Sequence, residues 1–188
     1  METKSCYNKY SEYLKEKYGT KVYKLPINLP ITCPNRIGGG GCTFCAEAGT
    51  GFESLSSQKT VTEQLRENKA FIAKKYKAKK FIAYFQNYTN TFMPVSAFEQ
   101  YMKEAAGQED IVELSISTRP DCIREDYMQI LKEIKEMYSV EITVELGLQT
   151  VNYHTLDQIR RGHGLAEYLD AVRCIQQYDF TICTHVIL

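Results

Sequence analysis

Apolar runs of strand length alternate with amphipathic helical stretches along most of this chain. That pattern predicts an α/β fold of parallel strands joined by right-handed helical crossovers. The run Phe81-Ile82-Ala83-Tyr84-Phe85 is wholly apolar, as a strand covered on both faces should be. Polar residues follow directly after successive strands, where folds of this kind carry their chemistry. The sheet is expected to be open or curled into a partial (βα) barrel, with the chain ending in its fifth strand.

Residues 5 to 18 carry Tyr7, Tyr10, Tyr13, Leu14 and Tyr18 at helical spacings, ended by Gly19. Such a tyrosine stripe can stack on bases, but packing on its own domain is the simpler reading. Residues 1–20 therefore read as an N-terminal helical segment and 21–188 as the core domain. Residues 21–30 alternate apolar and polar as a first strand. Thr60 or Thr62 is placed to cap a helix through Leu65, Phe71, Ile72 and Tyr76, with Glu63 in its first turn. After the second strand, 81–85, a helix over 95–106 ends at Gly107. Ile111 to Ile116 is the third strand, and a helix from Arg124 to Tyr138 carries Tyr127, Ile130, Leu131 and Ile134 on one face. Val140 to Leu148 is the fourth strand. Helices over 156–161 and 165–178 lead to the fifth, 180–188.

The first strand runs into Ile31-Thr32-Cys33-Pro34-Asn35-Arg36-Ile37-Gly38-Gly39-Gly40-Gly41-Cys42-Thr43-Phe44-Cys45. The four glycines reach positive φ cheaply, so Cys33 can fold back towards the Cys42/Cys45 pair. Structural zinc wants four ligands, and neither a His nor a fourth Cys lies near. A four-iron cluster on three cysteines leaves one iron open to a small molecule. A redox Cys-x-x-Cys pair would leave Cys33 and the glycines without a use. The spacing favours the cluster over zinc, and zinc over a thiol–disulfide pair. Cys6, Cys122, Cys174 and Cys183 read as buried or incidental thiols, and His154, His163 and His185 as hydrogen-bonded structural residues, with His163 the best placed at the rim.

The bulk numbers exclude little and permit an enzyme. The 188 residues suit one domain of ordinary size, and 44% hydrophobic with 24% charged residues is a globular composition. Basic and acidic residues balance at 23 each, so no global charge favours nucleic acid or membrane. Apolar runs fall short of the roughly 20 residues that span a bilayer. No signal-peptide pattern opens the chain, and seven cysteines in such a chain suggest reduced thiols and a cytoplasmic location. The lysine run at 74–80 reads as a solvated helix end at the rim opposite the cysteines, with an RNA-phosphate patch as the alternative.

Together the cysteine loop, Gln86 to Thr91, Ser117-Thr118-Arg119-Pro120-Asp121, Glu145-Leu146-Gly147-Leu148-Gln149 and Arg161-Gly162-His163 resemble the radical SAM superfamily. The likeness runs from about Tyr23 to Leu188. It is strongest to the uncharacterised YhcC-like proteins and more distant to the radical SAM domain of the Elongator catalytic subunit. It implies a partial barrel and a [4Fe-4S] cluster on Cys33, Cys42 and Cys45. S-adenosylmethionine would chelate the open iron and be cleaved reductively to a 5′-deoxyadenosyl radical. Phe44 matches the position that lies against adenine, and Gln86 and Asn87 match the segment that takes the methionine amine. Ser117 and Gln149 match ribose-side positions, Arg161 a carboxylate-binding position, and Glu145 is a further cofactor-binding candidate. No catalytic residue beyond the cluster is implied.

The implied electron donor is a flavodoxin or ferredoxin, the implied class oxidoreductase or transferase, and tRNA a substrate suggested by the Elongator likeness. A non-catalytic metal- or cluster-bearing RNA-binding module is the alternative. Eight residues separate Cys33 from Cys42, where most of the superfamily has three. Gln86-Asn87-Tyr88 replaces the usual glycine-glycine-glutamate. The chain stops inside its fifth strand where relatives continue, so a C-terminally truncated core is expected.

Overall fold

The computed structural model describes residues 6–46, 54–76 and 78–187. Among them, helix α1 (Tyr10–Tyr18) precedes strands β1 (Val22–Ile27), β2 (Lys80–Phe85), β3 (Ile111–Thr118), β4 (Glu141–Gln149) and β5 (Thr181–Val186). The crossovers are α2 (Val61–Tyr76), α3 (Val95–Ala106) and α4 (Glu125–Tyr138), then α5 (Tyr153–Gln158) with α6 (Leu165–Gln176). The strands lie in the order β1-β2-β3-β4-β5 and every neighbouring pair is parallel. This is the α/β sheet expected.

Strand parity divides the sheet into two chemically different faces. On one, Leu25, Ile27, Phe81, Ala83, Phe85, Leu114, Ile116, Ile142, Val144 and Leu146 pack against Leu65, Phe98, Met102, Leu131, Ile134 and Ile175 of the helices. On the other, Lys24, Tyr84, Ser115, Ser117, Thr143 and Glu145 line up across the strands. The polar face is concave. Lys24 on β1 ion-pairs with Glu145 on β4, three strands away and about 14 Å across a flat sheet at ~4.8 Å per strand. Two side chains standing up from a flat sheet would not meet over that span, so the sheet curls.

Helix α1 covers the N-terminal end of this concave face. Leu14 packs on Val22 and Ile82, while Lys17 and the Tyr18 hydroxyl both donate to Glu113. Thr143 Oγ1 donates to the other oxygen of Glu113 at 2.9 Å, so a buried carboxylate is satisfied from three sides. Burial and the Glu113 carboxylate together push the Tyr18 phenol above its ordinary range.

Local signals account for most boundaries. Gly19 ends α1 at φ 68°, a left-handed position that suits glycine. At the start of α2, Thr60 Oγ1 accepts from Glu63 N at 3.2 Å and Glu63 Oε2 accepts from Thr60 N at 2.8 Å, a reciprocal capping box. Thr60→Ala is expected to cost about 1 kcal/mol in urea unfolding; an unchanged midpoint would contradict that role. Phe71 departs from expectation and is exposed, because Val61, Leu65 and Ile72 at spacings of four and seven hold the buried stripe. The helix after β4 starts at Tyr153 rather than Leu156, since Asn152 Oδ1 caps it through Thr155 N at 3.2 Å. No helix among the described residues is long and apolar enough to cross a membrane.

Candidate cofactor site

The cysteine loop leaves β1 and closes over the C-terminal ends of the strands. A short 3-10 turn at Pro34–Arg36 follows Cys33. Gly38, Gly40 and Gly41 then take φ of 92°, 72° and 88°, which a residue with a Cβ rarely adopts. The returning chain is stitched by Gly41 N donating to Asn35 O at 3.0 Å and Thr43 N to Ile159 O at 3.1 Å.

Cys33, Cys42 and Cys45 face one cleft, which encloses about 830 Å³ counted out to its open mouth. Among the described residues, no three His, Cys, Asp or Glu side chains stand close enough to hold a single metal ion. A cubane presents a separate iron to each thiolate and suits sulfurs spread along one wall. A zinc ion draws its sulfurs to about 2.3 Å from one point and does not suit them.

Each sulfur is met by an N–H donor. Asn35 Nδ2 lies 3.3 Å from Cys42 Sγ and Arg36 Nη2 lies 3.4 Å from Cys45 Sγ. Arg161 Nη1 approaches Cys42 Sγ at 3.7 Å, and Arg119 Nη1 approaches Cys33 Sγ at 3.9 Å. Such donors suit electron-rich cluster thiolates, whose potential they tune. Burial opposes the charge on Arg119, but a bidentate pair with Asp121 at 2.6 and 2.9 Å outweighs it and keeps the guanidinium charged.

Of the residues anticipated for S-adenosylmethionine, Phe44, Gln86, Ser117, Glu145, Gln149 and Arg161 all line this cleft. Asn87 does not. It is buried away from the cleft lining. Asn90 pins the segment instead, its Nδ2 donating to the carbonyls of Phe85, Asn87 and Ser117 at 2.9, 3.2 and 2.8 Å. Gln86, Tyr88 and Thr89 are thereby left on the cleft. His163 lies outside the cleft, buried beside Arg161, and burial pushes its imidazole down to about 4.

The walls also hold Arg36, Tyr84 and His185, which the sequence did not mark as ligand-binding, and Thr118 and Arg119 from the polar segment expected after the third strand. At the floor, Glu145 Oε1 accepts from Lys24 and from Ser115 Oγ at 2.6 Å, and Oε2 accepts from Ser117 Oγ at 3.1 Å. His185 Nε2 completes the set, 3.0 Å from Oε2. Burial alone would raise the Glu145 carboxyl, but His185 and Lys24 outweigh it and hold it well below the usual range. The polar residues alternating along β3 and β4 were the sequence signal for this floor.

Cys183 and Glu145 push His185 up from 6.5 to about 9. A raised folded value means the pairing stabilises fully below pH 6.5 and fades as pH rises through about 9. Stability measured by urea unfolding should therefore decline over that window, and His185→Gln should remove the decline. A wild-type profile flat over the same range would contradict the pairing.

Two buried polar atoms on the cleft, Thr89 Oγ1 and Arg161 Nε, have no hydrogen-bond partner among the described residues. Three thiols with N–H donors, an exposed aromatic ring at Phe44 and these orphaned polar atoms fit a cluster with a polar nucleoside beside it.

Comparisons with known proteins give the chain's family. The family description of the radical SAM superfamily matches residues 27–188, and the chain belongs to that superfamily. It is 36% identical over 188 residues to the uncharacterised protein YtqA of Bacillus subtilis, covering 98% of this chain and 58% of that protein. It is also 36% identical over 191 residues to YhcC of Escherichia coli K12, covering 100% of this chain and 60% of that protein. The chain thus spans somewhat under two thirds of the length of these relatives. In fold it is similar to the cobalamin-dependent S-adenosylmethionine radical enzyme OxsB, with a TM-score of 0.56 over 87% of this chain and 23% of OxsB, at 14% identity.

Proposed function

We propose that this chain is the catalytic core of a radical SAM enzyme, with a [4Fe-4S] cluster on Cys33, Cys42 and Cys45 and S-adenosylmethionine in the same cleft. The observation that carries the reading is the convergence of three thiols, each with its own N–H donor, on a cleft lined by nucleotide-compatible side chains. When bound, the two cofactors supply one-electron cleavage of the sulfonium C–S bond, giving methionine and a 5′-deoxyadenosyl radical that takes hydrogen from a substrate.

The chain's own residues bind, orient and exclude. Phe44, 41% exposed at the cleft, offers an apolar ring to the adenine. Arg161 offers its charge to the carboxylate beside Cys42, while Gln86 and Thr89 line the part of the cleft proposed for the amine. Ser117 donates to Glu145, which leaves its oxygen lone pairs for a ribose hydroxyl. Helix α1 and the Glu113 cluster close the N-terminal end of the concave face, which limits water around a reactive intermediate. The electron comes from a flavodoxin- or ferredoxin-type donor, and tRNA is the first substrate class to try.

The test is anaerobic reconstitution with iron and sulfide, then incubation with S-adenosylmethionine and dithionite. The expected result is a brown protein that forms 5′-deoxyadenosine and methionine. A colourless protein that keeps zinc, or a loaded protein that leaves S-adenosylmethionine intact, would overturn the reading.

A further inference from the structure

The eight residues between Cys33 and Cys42 do more than close a loop. They carry two of the side chains that reach cluster sulfurs, Asn35 to Cys42 and Arg36 to Cys45. Both are held in place from outside the loop's own backbone. The Asn35 amide nitrogen also donates to the carbonyls of Arg160 and Arg161 at 2.7 and 2.8 Å. Its two hydrogens thus serve three acceptors, with sulfur the most distant. Arg36 also donates to the carbonyl of Ala46, and its stem passes over Gly41, where a Cβ would stand 3.2 Å from Arg36 Cγ. A glycine at this point, with φ 88°, gives the arginine its path.

We infer that Asn35 and Arg36 are positioning residues that set the reduction potential of the cluster, and that the long cysteine spacing exists to deliver them. The inference rests on the cluster reading above and adds a role to residues that no cofactor assignment uses. Its physical basis is charge. Adding an electron to the cluster puts more negative charge on the cysteine sulfurs, so N–H donors stabilise the reduced form more than the oxidised one. A guanidinium does so through both its hydrogen bond and its charge. Each donor therefore makes the cluster easier to reduce, and removing one should lower the potential.

A purely mechanical role for the same two residues would hold the loop without moving the potential, and this separates the two readings. The experiment compares wild type, Asn35→Leu, Arg36→Gln and Arg36→Lys after anaerobic reconstitution. Iron and sulfide are counted per chain, and the midpoint potential is read by spin-resonance redox titration without S-adenosylmethionine. The expected result for Arg36→Gln is equal loading with a fall in potential of about a tenfold weaker reduction equilibrium, or ~59 mV for one electron. Asn35→Leu also unties the loop from Arg160 and Arg161, so it should load less, with a similar fall in potential in the cluster it retains. Arg36→Lys keeps the charge and should recover part of the shift. Unchanged potentials in the clusters that are loaded overturn the inference and leave the proposed function standing. Should Asn35→Leu take up no iron, Arg36→Gln carries the decision in the same two directions. A wild-type chain that assembles no cluster overturns the proposed function, and this inference with it.

Discussion

Gly162→Ala is expected to strip the protein of most of its cluster while the α/β core stays folded. Gly162 sits at φ +76°, where an L side chain costs roughly 1–2 kcal/mol. The added Cβ would lie 2.7 Å from Asn35 Oδ1 and 3.3 Å from Arg119 Nη2. Asn35 has little freedom to yield, because its amide nitrogen joins the cysteine loop to the carbonyls of Arg160 and Arg161. Pushing it aside loosens Cys42, and the Arg119 contact passes the disturbance towards Cys33. Losing hydrogen bonds of this kind weakens cluster retention about 10- to 100-fold, whereas the core, remote from this turn, should lose only a few degrees in melting temperature. Iron per chain after desalting, set beside a thermal melt of the metal-free protein, checks both halves. Wild-type iron content in the variant would show that Gly162 and Asn35 do not brace the loop.

Arg161→Leu should do the reverse, sparing the cluster and losing the nucleotide. The guanidinium is buried, with Nη2 donating to Gly147 O at 2.6 Å and Nη1 facing Cys42. Its Nε has no hydrogen-bond partner among the described residues, so a ligand carboxylate would gain a fixed charge held beside Cys42. A charge-assisted hydrogen bond of this kind supports a loss of about 10- to 100-fold in S-adenosylmethionine affinity. Arg161→Lys should recover little, since a point charge on a flexible stem cannot reproduce the planar fork. Gly147→Ala approaches the same site from the other side, because its Cβ would lie 2.6 Å from Arg161 Nη2 and 2.8 Å from Gln149 Nε2. Calorimetric titration of the reconstituted protein reads the effect, and undiminished affinity in Arg161→Leu would remove that residue from the binding site.

The order of elements was legible because the chain states it twice, in apolar period and in end signals. Gly19 and Gly107 ended helices where the period stopped, and Thr60 with Glu63 opened one. The cysteine loop was legible as a site because glycines and thiols in that ratio have no packing use. Side-chain direction past the last strand residue was harder to read. Gln86 and Asn87 are adjacent in sequence, yet one lines the cleft and the other is buried away from it. Contacts between distant strands were beyond local reading as well. Nothing near Lys24 announces that a curled sheet will bring it to Glu145, 121 residues later. The donors on the sulfurs were hidden for a related reason. Asn35 looks like loop filler until the turn at 159–161 folds over it, and Arg36 until the chain returns past it at Cys45 and Ala46.

The most direct measurement is the spin-resonance spectrum of the reduced, reconstituted protein before and after S-adenosylmethionine is added, with the nucleotide isotopically labelled on its amine and carboxylate. Three cysteine ligands and one open iron predict a cubane signal that changes on addition and shows coupling to the labelled atoms. A cubane signal indifferent to the nucleotide, or no cubane in protein whose thiols are intact, would contradict an open iron beside Cys33, Cys42 and Cys45.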